Sequence, residues 1–118
     1  MRNPWKKFLN KIILSGSERA SRSRVKKVEI TEQDLKNQWQ KQDGKCYWLD
    51  IPLNIDDVYT TKNPFAPSAD RLNNDEDYTV NNTVICCAFV NMGRGVVDKA
   101  HFRLFIEYLK HFIRHSEK

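Results

Sequence analysis

Ala69-Asp70-Arg71-Leu72, Asn73-Asn74-Asp75-Glu76-Asp77, Thr83-Val84-Ile85-Cys86 and Cys87-Ala88-Phe89-Val90-Asn91-Met92 are the four runs whose reading decides the fold. Pro64 and Pro67 keep the preceding backbone extended, so residues 69–72 read as a short strand. The polar run 73–77 is a loop, and the β-branched Thr83, Val84 and Ile85 make a second strand. Residues 87–92 have room for one or two helical turns, with Gly93 as the expected stop. Strand, loop, strand and short helix form a ββα unit. The fold class this predicts is α+β, with the unit packed against flanking helices.

Upstream, Thr31 with Asp34 three residues on predicts a capped helix start, and Ile30 and Leu35 can close over it as a hydrophobic staple. Leu35 and Trp39 share a face of that helix and Gly44 ends it. Cys46-Tyr47-Trp48-Leu49 with Ile51-Pro52-Leu53 reads as a short strand and turn. At the start of the chain Asn3 caps, Pro4 opens, and Trp5, Phe8 and Ile12 recur on one face of a helix that Gly16 is expected to end. Ser15 to Arg24 has linker composition, which divides the chain into a basic arm, residues 1–24, and a domain, residues 25–118. Downstream, Asp98 caps a last helix in which Phe102, Phe105, Ile106, Leu109, Phe112 and Ile113 follow the spacing of one buried stripe.

A chain of 118 residues supports one core. Its thirteen aromatics argue against wholesale disorder, and no apolar run reaches the roughly 18 residues of a membrane span. Three cysteines, Cys46, Cys86 and Cys87, make neither a disulfide framework nor a four-thiolate zinc site, so a reducing, cytoplasmic setting is expected. The net charge of +5 is unevenly placed. Residues 1–30 carry nine Lys/Arg against two acids, residues 31–77 five against ten, and residues 78–118 six against three. A basic arm, an acidic middle and a basic end favour an anionic polymer as partner, with the acids kept for a local task such as holding a cation.

Asp70 at a strand end and Asn91 on the short helix offer oxygen to one divalent ion if the ββα unit brings them together. Few, hard oxygen donors suit magnesium or manganese, which retain water and bind phosphate. Arg94 would face the same anion. Taken singly, Asp70 reads as a turn aspartate and Asn91 as a helix-end asparagine. Arg71 alone reads as the partner of Asp75 or Asp77, and Cys46 and Cys87 as two small buried side chains.

Their order and spacing carry more than the single residues do. Gln42-Asp43-Gly44-Lys45-Cys46-Tyr47-Trp48, Ser68-Ala69-Asp70-Arg71, Tyr78-Thr79-Val80-Asn81-Asn82-Thr83-Val84-Ile85-Cys86 and Asn91-Met92-Gly93-Arg94 resemble, over about residues 30–113, the HNH or His-Me finger endonucleases. The likeness is to the small phage and homing-endonuclease-like members. It implies a ββα-metal nuclease hydrolysing DNA phosphodiesters with one magnesium or manganese ion. By position Asp70 and Asn91 resemble the metal ligands, and Asn82 the asparagine that steadies the loop and strand. Arg94 resembles the phosphate contact after the helix-borne ligand. With it, Lys99 and the arm residues Arg22, Arg24, Lys26 and Lys27 are the expected DNA-binding set.

Two departures stand out. Arg71 occupies the place of the His that serves most of the family as general base, and a guanidinium cannot accept a proton at ordinary pH. Arg71 is therefore assigned to stabilising phosphate charge, and His101 ranks below the metal as the activator of water. Leu49 and Val90 stand where zinc-binding relatives have second cysteines, which argues against a structural zinc. A cluster of Trp39, Trp48, Leu49 and the last helix is expected in its place. The alternative function is a DNA-binding module on the same scaffold that has lost catalysis.

Overall fold

The computed structural model describes residues 2–20 and 27–116. Among the described residues four helices, α1 (Pro4–Ala20), α2 (Glu32–Lys41), α3 (Ala88–Arg94) and α4 (Lys99–Ser116), accompany one antiparallel pair, β1 (Pro67–Arg71) and β2 (Thr83–Cys87). A 3-10 helix, Ile55–Tyr59, lies between α2 and β1. The fold is α+β, as the sequence predicts. Cys46 to Leu53 makes a turn closed by a single bridge between Lys45 and Pro52, in place of the short strand expected there.

The pairing opposes Ala69 to Ile85, Asp70 to Val84 and Arg71 to Thr83. Because successive side chains alternate in direction, the hairpin buries apolar groups on both faces. Ala69 and Ile85 join Phe8, Ile12, Leu35 and Val58 in one cluster. Cys86 and Cys87 join Cys46, Trp48, Phe102 and Ile106 in the other. Trp39 packs with the first cluster and meets Trp5 edge-on at 5.4 Å, so the expected grouping of Trp39 with Trp48 is corrected.

Helix α2 begins as its sequence specifies. Thr31 Oγ1 accepts from the Asp34 amide at 3.1 Å, and the Asp34 carboxylate accepts from the Thr31 amide at 2.9 Å. After its last residue, Asp43 and Gly44 both take positive φ. A side chain at Gly44 would also press on the Trp39 indole nitrogen at 3.1 Å.

Four expectations are corrected. Helix α1 continues through Gly16 to Ala20, since one glycine costs a helix interior only about 1 kcal/mol relative to alanine. Nor is α1 an arm: Phe8 and Ile12 are buried in the first cluster, so the division at residue 24 is not one the packing follows. Gly93 lies inside α3, and the stop is Gly95, whose φ of 52° a side chain would strain. The stripe of α4 is buried only at Phe102 and Ile106; Phe105, Leu109, Phe112 and Ile113 are exposed. A 3.6-residue period shows that a face is apolar, not that anything covers it. The body of the domain runs alongside only the first turns.

Candidate functional site

The end of β1 delivers Asp70 into the second cluster, where it is 4% exposed. Its Oδ2 accepts from Trp48 Nε1 at 2.9 Å and from Arg94 Nη1 at 2.7 Å. Arg94, 1% exposed, spends its other donors on the backbone: Nη1 also on Arg71 O at 2.7 Å, Nη2 on Leu72 O at 2.8 Å, and Nε on Val97 O at 2.9 Å. Its guanidinium lies 5.4 Å from the centroid of the Trp48 ring. Arg94 is a clamp between the strand end and the turn after α3. The expectation that it faces phosphate does not match this placement, because buried donors committed to carbonyls and a carboxylate are not offered to an outside anion.

Asn91 comes from the middle of α3. Its Nδ2 donates to Ser68 Oγ at 2.7 Å and to Ala69 O at 3.0 Å, which orients the amide against β1 and leaves the carbonyl oxygen as its acceptor. Asn82, 5% exposed, accepts from the Asn73 amide at 2.8 Å and donates to Asn73 O and Asp77 O at 3.1 and 3.0 Å. One side chain thereby ties both ends of the loop between the strands. Arg71 Nη1 donates to Asn74 O at 2.6 Å and Glu76 O at 3.1 Å inside that loop, and its guanidinium lies 5.2 Å from the centroid of the Tyr78 ring.

Asp70, Arg71, Asn82, Asn91, Asp98 and Lys99 all line one open cleft of about 1310 Å³. At its rim Asp98 caps α4, accepting from the His101 amide at 2.8 Å, and its other oxygen meets His101 Nδ1 at 2.6 Å. The His101 amide first, and then its imidazole, hold the Asp98 carboxyl below the usual range. Exposed Lys27 sits where the chain runs beside this loop: its amide donates to Asp77 Oδ1 at 3.1 Å and its carbonyl accepts from Tyr78 at 3.0 Å. Arg22, Arg24 and Lys26 lie outside the described residues.

Among the described residues no three His, Cys, Asp or Glu gather as a ligand set. Asp70 and Asn91, one carboxylate and one amide, both line this cleft, as do Asp75 and Asp98. Magnesium is commonly held by one or two carboxylates with water and substrate phosphate, and Asp70 and Asn91 are oxygen donors of the type such an ion takes. The Arg94 cation on Asp70 weakens the site's pull on a bare ion.

Cys46, Cys86 and Cys87 are free and buried. Cys87 donates its thiol proton toward Cys46, which lowers the Cys46 pKa against the opposing effect of burial and raises that of Cys87. The reading of the residues did not single out Trp48 and Ser68 as partners of Asp70 and Asn91. A buried tryptophan needs an acceptor for its N–H, so Trp48 beside a strand rich in polar groups carried a legible signal. Ser68 carried none. Gln42 was also missed: its amide accepts from Ile85 N at 2.9 Å and donates to Ile85 O at 2.7 Å, pairing with β2 as a strand would. Comparison with family models, with curated proteins and with solved structures returns no match for this chain.

Proposed function

We propose that this chain is a divalent-metal-dependent DNA endonuclease built on a ββα-metal arrangement of the His-Me finger kind. The observation that carries the reading is that Asp70, from the end of β1, and Asn91, from α3, line one cleft beside Arg71 and Lys99. Oxygen donors beside cations are what a phosphodiester and its metal require. The basic residues 22–27 add to it, because they lead covalently to Lys27 at the loop that borders the cleft.

Asp70 and Asn91 would hold magnesium or manganese, which supplies Lewis-acid stabilisation of charge on the phosphate. Trp48 and Arg94 fix the Asp70 carboxylate in place, and Ser68 does the same for the Asn91 amide. Asn82 keeps the loop closed. Arg71, 8% exposed, lines the cleft with Nη1 held by Asn74 O and Glu76 O, so what it would offer phosphate is its charge and its remaining guanidinium donors. His101 stands outside the cleft lining, is exposed and is held by Asp98, so it is a helix-end residue in this reading. The second reading, a non-catalytic DNA-binding module, is favoured by one observation: Arg71 where the family places its base.

The test is supercoiled plasmid incubated with the full chain and magnesium, manganese or chelator. The expected result is nicking or cutting only with the metal, lost in Asn91→Ala by at least about a hundredfold. Arg71→Lys is expected to keep part of the activity and Arg71→Ala to lose most of it. Undiminished cleavage by folded Asn91→Ala would remove the proposed site. Binding of DNA without cleavage from about pH 6 to about pH 9, with cleavage restored in Arg71→His, would establish the second reading instead.

A further inference from the structure

Helix α4 poses a problem that the proposed function does not touch. Its first turns are held by Phe102 and Ile106, with Trp48 meeting Phe102 edge-on at 4.9 Å and Arg103 lying over the Tyr47 and Trp48 rings. Beyond Ile106 every residue from Glu107 to His115 is exposed except half-buried Lys110. A helix of such length standing in water is marginal at best, since isolated helices under about 12–15 residues rarely persist.

The exposed surface is also apolar. Phe105 is 55% exposed, Tyr108 66%, Leu109 37% and Phe112 68%. At roughly 100° per residue these four fall within an arc of about 100°, while Arg103, Glu107 and Arg114 fall on the opposite side. Leu104 and Ile113, also exposed, widen the strip. Taking about 200 Å² for each large side chain when fully exposed, the strip presents on the order of 600 Å². That is as large as the biggest apolar patch of an ordinary monomer, about 300–600 Å².

We infer that this strip is the interface of a homodimer, in which α4 of two copies pack antiparallel about a two-fold axis. With Leu104 and Ile113 included and fully covered, two such strips bury about 1,200 Å², the lower bound for a specific interface. The charge pattern favours a second copy. Two chains of net charge +5 repel, but this seam lets them meet without opposing cations, because the basic side chains of α4 lie on its back. With the axis between Lys110 and His111, Leu109 of one copy meets Phe112 of the other, smaller against larger, and the surface is self-complementary as an isologous contact requires. An acidic protein or an anionic lipid surface would be better served by lysines and arginines along the rim of the strip.

The experiment is sedimentation equilibrium of the full chain from about 1 to about 200 μM, alone and with anionic phosphatidylserine vesicles, beside F105E/F112E. Wild type is expected to dimerise with a dissociation constant on the order of micromolar, and the double variant at least about a hundredfold more weakly. Both substituted positions are exposed, and circular dichroism checks that the fold is kept. Amide exchange of residues 107–116 in the wild type is expected to slow as concentration rises. A wild type that stays monomeric, a folded double variant that dimerises undiminished, or a monomer that sediments with vesicles would each overturn the inference.

Discussion

Asp70 and Arg94 illustrate how one pair of residues can be structural and still shape a site. The pair is 2.7 Å apart, with the two side chains 4% and 0% exposed. Removing one member of a buried ion pair leaves the other charge uncompensated at a cost of about 3–5 kcal/mol. Asp70→Ala is therefore expected to destabilise the fold by about that amount in denaturant titration. Asp70→Ala with Arg94→Met should recover much of the loss, and equal stability of the single and double variants would show that the pair is not coupled. Lost cleavage in Asp70→Ala alone cannot then be credited to a missing ligand. Asn91, half-buried and bonded through neutral groups, is the cleaner position.

Among the elements, α1 departs furthest from its reading in the sequence. Phe8 is 1% and Ile12 4% exposed, Trp5 meets Trp39, and Lys11 Nζ reaches the Val58 carbonyl. Partial desolvation of its ammonium lowers the Lys11 pKa, and the neighbouring Lys7 adds to this. Phe8→Ala is expected to cost about 3–5 kcal/mol by the transfer of the ring and the cavity left behind, measured by thermal or denaturant unfolding. Deleting residues 1–24 should abolish cooperative unfolding altogether, and a deletion that melted like the full chain would mean that α1 is dispensable. Helix α2 follows its local code, and Thr31→Ala is expected to cost about 1 kcal/mol through loss of the capping box.

At the scale of the whole molecule the basic charge has a measurable consequence for DNA binding, if DNA is the partner. Since α1 belongs to the core, the contribution of the basic segment is to be tested by charge and not by truncation. Replacing Arg22, Arg24 and Lys26 by glutamine is expected to weaken binding at low salt. The slope of log affinity against log salt should fall by roughly one for each phosphate contact removed, about three at most. An unchanged slope in a filter-binding or anisotropy titration would show that these residues do not meet phosphate.

The sequence by itself determined the local elements whose signals are chemical and near in the chain. The capping box of α2, the Asp98 cap of α4, the two short strands and the short helix after them all follow from residues within a few positions of one another. The residues gathered in the cleft were legible as well, since Asp70, Asn82 and Asn91 lie within 22 positions and one hairpin with its helix brings them close. Only the tertiary structure decided what depends on distant neighbours. It made α1 part of the core, because Phe8 and Ile12 found Leu35, Val58 and Ile85 to cover them. It turned Arg94 from an expected phosphate contact into the partner of Asp70, because the turn after α3 folds back over the strand end. It left most of the α4 stripe in water, because an apolar period records which side of a helix seeks cover, and only the rest of the molecule can supply it.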